Sequence, residues 1–85
     1  MRIIAFHREA FEQYNEWAKT EKKLFTRLER LIIETSKSPF DGIGKPEPLK
    51  ADLKGYWSRR INEEHRLVYK VTDEQIIIVG CKYHY

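Results

Sequence analysis

His65-Arg66-Leu67-Val68-Tyr69-Lys70-Val71-Thr72-Asp73-Glu74-Gln75-Ile76-Ile77-Ile78-Val79 holds two strands and the turn between them. Leu67, Tyr69 and Val71 alternate with Arg66, Val68 and Lys70, the pattern of a strand with one buried face. Ile76-Ile77-Ile78-Val79 is an unbroken apolar run, rich in β-branched residues, and predicts a buried strand. Thr72-Asp73-Glu74 supplies the polar turn. The chain then runs Gly80-Cys81-Lys82-Tyr83-His84-Tyr85, so a buried strand leads directly into an aromatic, histidine-bearing end. Chain ends are usually polar and frayed, so this one is unusual. A histidine in such a place, taken alone, is more often structural than catalytic.

Working outward, Leu53 to Ile61 predicts a strand entered through Gly55, and Asn62-Glu63-Glu64 a polar turn into the alternating strand that begins at His65. Arg2 to Phe6 predicts a short first strand. From Arg8 to about Lys19 the period becomes helical, with Phe11, Tyr14 and Ala18 in one stripe widened by Trp17. His7 stands at the N-cap, where Ser or Asp is usual, so this start is weakly marked. A second helix opens at Thr20-Glu21 and buries Leu24, Leu28, Leu31, Ile32 and Thr35. Its charged residues fall largely on the other faces, as on a solvated helix surface. Ser38-Pro39-Phe40-Asp41-Gly42 stops it. Residues 36–50 show no periodicity, and a loop that long in a small domain is usually functional or disordered. The expected architecture is α+β: an N-terminal strand, a two-helix hairpin, then an antiparallel strand meander, with helices on one sheet face and the other face open.

An 85-residue chain is expected to be one domain, residues 1–85, with one modest core. Hydrophobic content of 41% and charged content of 34% exclude a disordered chain. Sixteen Lys+Arg against 13 Asp+Glu give a net charge of +3, which suits a polyanionic partner without requiring one. The single Cys81 excludes an internal disulfide and fits a reducing compartment. No apolar stretch approaches the ~20 residues needed to cross a bilayer, and the apolar run at the N-terminus is too short for a signal peptide. A cytoplasmic protein with no membrane association is expected.

Two clusters could carry chemistry. In Lys45-Pro46-Glu47-Pro48-Leu49-Lys50, two prolines fix φ and push Glu47 to an extended backbone, so its carboxylate sits on a stiff segment between lysines. An ordinary solvated glutamate is the bland alternative. In Trp57-Ser58-Arg59-Arg60 and His65-Arg66, arginines that match phosphate oxygens stand near aromatics that could stack on bases. The bland alternatives are a basic sheet edge that discourages aggregation and a core Trp57. Gly42-Ile43-Gly44-Lys45 lacks the Gly-Lys-Ser/Thr ending of a phosphate-binding loop. No metal-ligand spacing and no serine nucleophile motif is present. One carboxylate, arginines and a histidine form a set that can cleave RNA without a metal or any cofactor.

The chain resembles the YoeB/Txe toxins of bacterial toxin–antitoxin pairs, within the RelE/ParE superfamily. The resemblance runs end to end. It is carried by Gly44-Lys45-Pro46-Glu47-Pro48-Leu49-Lys50, Gly55-Tyr56-Trp57-Ser58-Arg59-Arg60-Ile61, Glu63-Glu64-His65-Arg66-Leu67-Val68-Tyr69 and Tyr83-His84-Tyr85. It implies a RelE-like, microbial-RNase-like fold and a ribosome-dependent mRNA endonuclease acting in the A site of the 70S ribosome. By motif it implies Glu47 as general base, His84 as general acid, Arg66 as the stabiliser of the transition-state phosphate and Tyr85 as an orienting residue. Lys50 and Arg60 match supporting basic positions; Arg59 and Tyr83 join them as substrate-binding candidates. It also implies a cognate antitoxin whose largely disordered tail folds onto the toxin, and it leaves a homodimer open. A non-catalytic RNA-binding module and a gyrase-inhibiting toxin on the same fold are the rival readings. The combination of Glu47, Arg66 and His84 counts against the second.

Turn chemistry adds an expectation about register. Asp73-Glu74 lacks the Gly or Asn that a two-residue hairpin turn favours, so a three-residue loop is expected. Arg66 would then lie opposite Gly80 and share a face with Lys82 and His84. A two-residue loop would instead set Arg66 opposite Cys81.

Overall fold

The apolar stripes and alternations become two helices and one mixed sheet. The computed structural model describes residues 1–83. Strand β1 spans Ile3–Phe6, helix α1 Arg8–Thr20, helix α2 Lys22–Lys37, β2 Glu47–Pro48, β3 Tyr56–Arg60, β4 Arg66–Val71 and β5 Gln75–Gly80. The strand, helix pair and antiparallel meander stand in the expected order. Two features were not expected. Among the described residues the sheet order is β1-β5-β4-β3-β2, with β1 parallel to β5. The two-residue β2 lies inside the stretch expected to be structureless, pairing Glu47 with Ser58 and Pro48 with Trp57. Pro48 fits there because an edge strand needs no N–H on its outer side.

Both helices cover one face of the sheet. Ala10 and Trp17 of α1 and Leu28, Leu31 and Ile32 of α2 are buried against Leu67, Tyr69, Ile76 and Ile78. Each fully buried leucine contributes about 1.5–3 kcal/mol, so this packing, rather than end capping, holds the helices. Helix α1 has no side-chain cap at His7; instead the His7 N–H donates to the Ile78 carbonyl at 2.9 Å, tying the helix start to the sheet. Among the described residues no helix is long and apolar enough to cross a membrane.

The last hairpin corrects the expected register. Val71 pairs with Ile76, and the Thr72 N–H donates to the Gln75 carbonyl at 2.9 Å, so the loop is the two-residue Asp73-Glu74. Neither residue has a positive φ. The turn is closed by a side chain: the Gln75 N–H donates to Thr72 Oγ1 at 3.0 Å. The N-terminus reinforces it, since the Ile3 N–H donates to Glu74 O at 2.8 Å and Arg2 Nε to Thr72 O at 2.8 Å. The face change that a three-residue loop would have supplied comes from a bulge. Tyr69 pairs with Ile78, but Val68 pairs with Gly80, leaving Val79 as the extra residue. Gly80 therefore faces Val68, not Arg66. Past the bulge the buried positions switch from Ile76 and Ile78 to Cys81.

Candidate active site

Directly paired residues in an antiparallel sheet point to the same side. The register therefore builds the open face row by row. Glu47 pairs with Ser58, Ser58 with Val68 and Val68 with Gly80. In the next row Arg60 pairs with Arg66. The floor is small or apolar: Val68 is 1% exposed, Ser58 5%, and Gly80 has no side chain. The long side chains of Glu47 and Arg60 stand exposed beside it, with Arg66 half-buried. Glu47 and Arg66 are two strands and one pleat apart, roughly 12 Å between α-carbons. Their side chains can close on a phosphodiester lying between them.

Arg60 opposite Arg66 is an electrostatic oddity. Like charges directly across a strand pair are destabilising. Among the described residues neither arginine has a carboxylate partner. Arg66 is oriented from one edge: its Nη1 donates to Asn62 O at 2.7 Å, His65 O at 3.1 Å and Glu63 O at 3.3 Å. Those carbonyls belong to the β3–β4 turn and hold the guanidinium in place. An anion on the open face would receive the two arginines together, in the geometry that suits phosphate oxygens.

The support of Glu47 lies on the other face, and it corrects one candidate. Arg59, expected to bind substrate, is fully buried. Its Nε donates to Tyr69 Oη at 3.2 Å, Nη1 to Ile43 O at 2.9 Å, and Nη2 to Asp41 O at 2.9 Å and to the Ser38 carbonyl. Tyr69 Oη in turn donates to Pro39 O at 2.7 Å. Burial pushes the Tyr69 phenol upward, an effect partly offset by Arg59. Arg59 thus ties down the loop after α2 instead of meeting solvent; β3 alternation sends it inward, as Arg60 goes outward. Gly44 completes the anchor. Its φ is +81°, its carbonyl accepts the Arg60 N–H at 2.6 Å, and a Cβ there would meet Leu31 Cδ2 at 2.8 Å. Only glycine suits that backbone and that approach. The loop so pinned delivers β2, and with it Glu47, to the edge of the sheet.

The remaining candidates divide. Lys50 is exposed just beyond β2. Tyr83 is exposed, and its ring lies 5.5 Å from the His65 ring and beside α1. His84 and Tyr85 lie outside the described residues. Two hollows of about 440 Å³ each lie elsewhere: one between α2 and the β3–β4 turn, the other along α1. The candidate site is an open surface, which suits a polymer better than a small molecule.

Fold and face together define a small α+β protein that presents paired arginines and a stiffly mounted carboxylate on the sheet face away from the helices. Sequence comparison narrows the class. The family described as the YoeB-like toxin of bacterial type II toxin–antitoxin systems matches residues 6–85, and this chain belongs to it. It is 54% identical over 82 residues to toxin YoeB of Streptomyces coelicolor, covering 96% of this chain and 98% of that one. Among solved structures it resembles the YoeB dimer from Staphylococcus aureus, with a TM-score of 0.91, 47% identity and coverage of 99% and 98%. It also resembles the YoeB–YefM complex from Staphylococcus aureus, with a TM-score of 0.89, 46% identity and coverage of 100% and 99%. The expected RelE-like fold is therefore the one observed.

Proposed function

We propose that this toxin is a ribosome-dependent mRNA endonuclease that needs no metal, acting in the cytoplasm as one domain over residues 1–85. The observation that carries the reading is the Arg60–Arg66 pair, without a carboxylate partner among the described residues, one row from Glu47 on the open face. The Glu47 carboxylate takes the proton of a ribose 2′-hydroxyl, and the 2′-oxygen attacks the adjacent phosphorus. Arg66, aided by Arg60 and Lys50, stabilises the crowded phosphate. The P–O5′ bond breaks as the His84 imidazolium gives its proton to the departing 5′-oxygen. The products are a 2′,3′-cyclic phosphate and a 5′-hydroxyl. Tyr85 orients the substrate. The ribosomal A site supplies the mRNA in a fixed conformation, and translation stops when it is cut.

The partner is a cognate antitoxin that binds the folded toxin, in keeping with the YoeB–YefM complex of the relative. Self-association is in keeping with the YoeB dimer of another. The deciding experiment is cleavage of mRNA on translating ribosomes by wild type and His84→Gln. The variant should fold normally and lose roughly 10²-fold or more in single-turnover rate. Full cleavage by folded His84→Gln would overturn the acid assignment. Binding of wild type to ribosomes without cutting would favour the non-catalytic RNA-binding module.

A further inference from the structure

The chain leaves the sheet at Gly80, and what holds it afterwards is not a strand ladder. Two side chains of α1 grip Cys81: its N–H donates to Gln13 Oε1 at 2.8 Å, and its carbonyl accepts from Trp17 Nε1 at 2.8 Å. Two consecutive residues grip Tyr83: its N–H donates to His65 Nδ1 at 2.7 Å, and its carbonyl accepts the Arg66 N–H at 2.8 Å. Tyr83 has a φ of +60°, a left-handed conformation that a non-glycine residue keeps only where its surroundings over-determine it. The last two residues of the chain follow Tyr83 directly.

His65 is itself immobilised. It is 6% exposed, its ring meets Trp17 edge-on at 4.7 Å, and its own N–H donates to Asn62 Oδ1 at 2.7 Å. Accepting a hydrogen bond at Nδ1 requires the neutral ring with its proton on Nε2. Nε2 stands 3.6 Å from Glu64 Oε1, a placement that favours this tautomer. Nothing in the proposed chemistry uses this buried imidazole.

We infer that His65 is a positioning residue: its Nδ1 holds the Tyr83 amide and so fixes the backbone from which His84 and Tyr85 reach the scissile phosphate. Arg66, which stabilises that phosphate, holds the other end of the same residue through its main chain. One two-residue step thus ties the proposed phosphate-binding group to the residue that precedes His84 in sequence. The inference rests on the cleavage reading above. It states that the acceptor atom at Nδ1, rather than the bulk of the ring, is what matters.

Two substitutions separate acceptor from ring. His65→Phe keeps a ring against Trp17 and removes the acceptor. His65→Asn gives up the ring and keeps an acceptor oxygen near the place of Nδ1. Hydrogen exchange of the Tyr83 amide is read together with single-turnover cleavage at saturating ribosomes, for variants whose circular dichroism shows the native fold. Tyr83 protection should be lost in His65→Phe and kept in His65→Asn. Cleavage by His65→Phe should fall by about 10²-fold, the cost of misplacing a catalytic group by about an ångström, with ribosome affinity unchanged. His65→Asn should recover most of the rate. Protected Tyr83 and wild-type cleavage in His65→Phe, or His65→Asn more impaired than His65→Phe, would overturn the inference. Wild-type protein that cuts nothing would overturn the cleavage reading instead, and the exchange measurement would still show whether the clamp exists.

Discussion

Arg59 and Arg60 are neighbours in β3 and live in opposite worlds. Arg59 points under the sheet, fully buried, and its guanidinium is spent on main-chain carbonyls of the loop after α2 and on Tyr69. Arg60 points above it, exposed, and meets another arginine. Among the described residues no buried side-chain nitrogen or oxygen lacks a partner. The open face carries a charge conflict that no carboxylate relieves among the described residues. Stability is concentrated on one side of the sheet, and the proposed chemistry lies on the other. A consistent fold that breaks a local rule in one place marks that place as functional.

The contrast makes opposite demands on neighbouring arginines. Arg59→Met should cost the fold about 3 kcal/mol or more, because the loop after α2 loses several charged hydrogen bonds and Tyr69 Oη loses a buried donor. Urea denaturation measures it, and a loss under about 1 kcal/mol would break the division between the faces. Arg66→Gln, across the sheet, should leave the denaturation midpoint nearly unmoved. It should lower single-turnover cleavage by about 10²–10³-fold, as loss of one donor to a developing oxyanion does. A Tm drop that accounts for the lost activity would place Arg66 among the structural residues.

The closed face continues past the bulge to Cys81, and pH reads that continuation. Burial pushes its thiol up to about 12, from an ordinary value of 9.0. The unfolded thiol therefore ionises first, above pH 9, while the folded one stays protonated. Its contribution is fully present below pH 9 and is lost as pH rises toward about 12. Wild type should lose on the order of 1 kcal/mol more than Cys81→Ala between pH 8 and 10.5. Equal slopes for the two proteins would show that Cys81 is not sealed.

Most of the fold was legible because its signals are local. The stripe of α2 and the alternation of Leu67, Tyr69 and Val71 each state which side is buried; in α1 the expected stripe held at Trp17, but Phe11 is exposed and Ala10, outside that stripe, is buried. The parallel pairing of β1 with β5 was not legible, since no local pattern says which edge a first strand will take. The hairpin misled because a threonine side chain and the N-terminus closed a turn that its own two residues favour poorly. The stiffness of the Glu47 segment between two prolines was legible, but its pairing onto the sheet edge as β2 was not. Arg59 misled because charge suggested the surface; the same alternation that buries Leu67 and Tyr69, applied to β3, sends Arg59 inward. It would also have flagged His65, which shares the parity of Leu67 and Tyr69 and so belongs inside.

The smallest effect tests the open face most directly. Removing one member of a like-charged cross-strand pair should relieve repulsion, so Arg60→Met should leave stability unchanged or raise it by a few tenths of a kcal/mol. This reverses the usual direction for a point substitution. Sulfate offers a sharper form of the test. An anion seated between Arg60 and Arg66 binds only the folded protein and stabilises it by mass action. Wild type should therefore gain more in Tm from added sulfate than Arg60→Met does, with chloride at matched ionic strength as the control for screening. Equal gains in the two proteins would mean that the arginines do not act as a pair, and that their opposition in the register has no bearing on a phosphate.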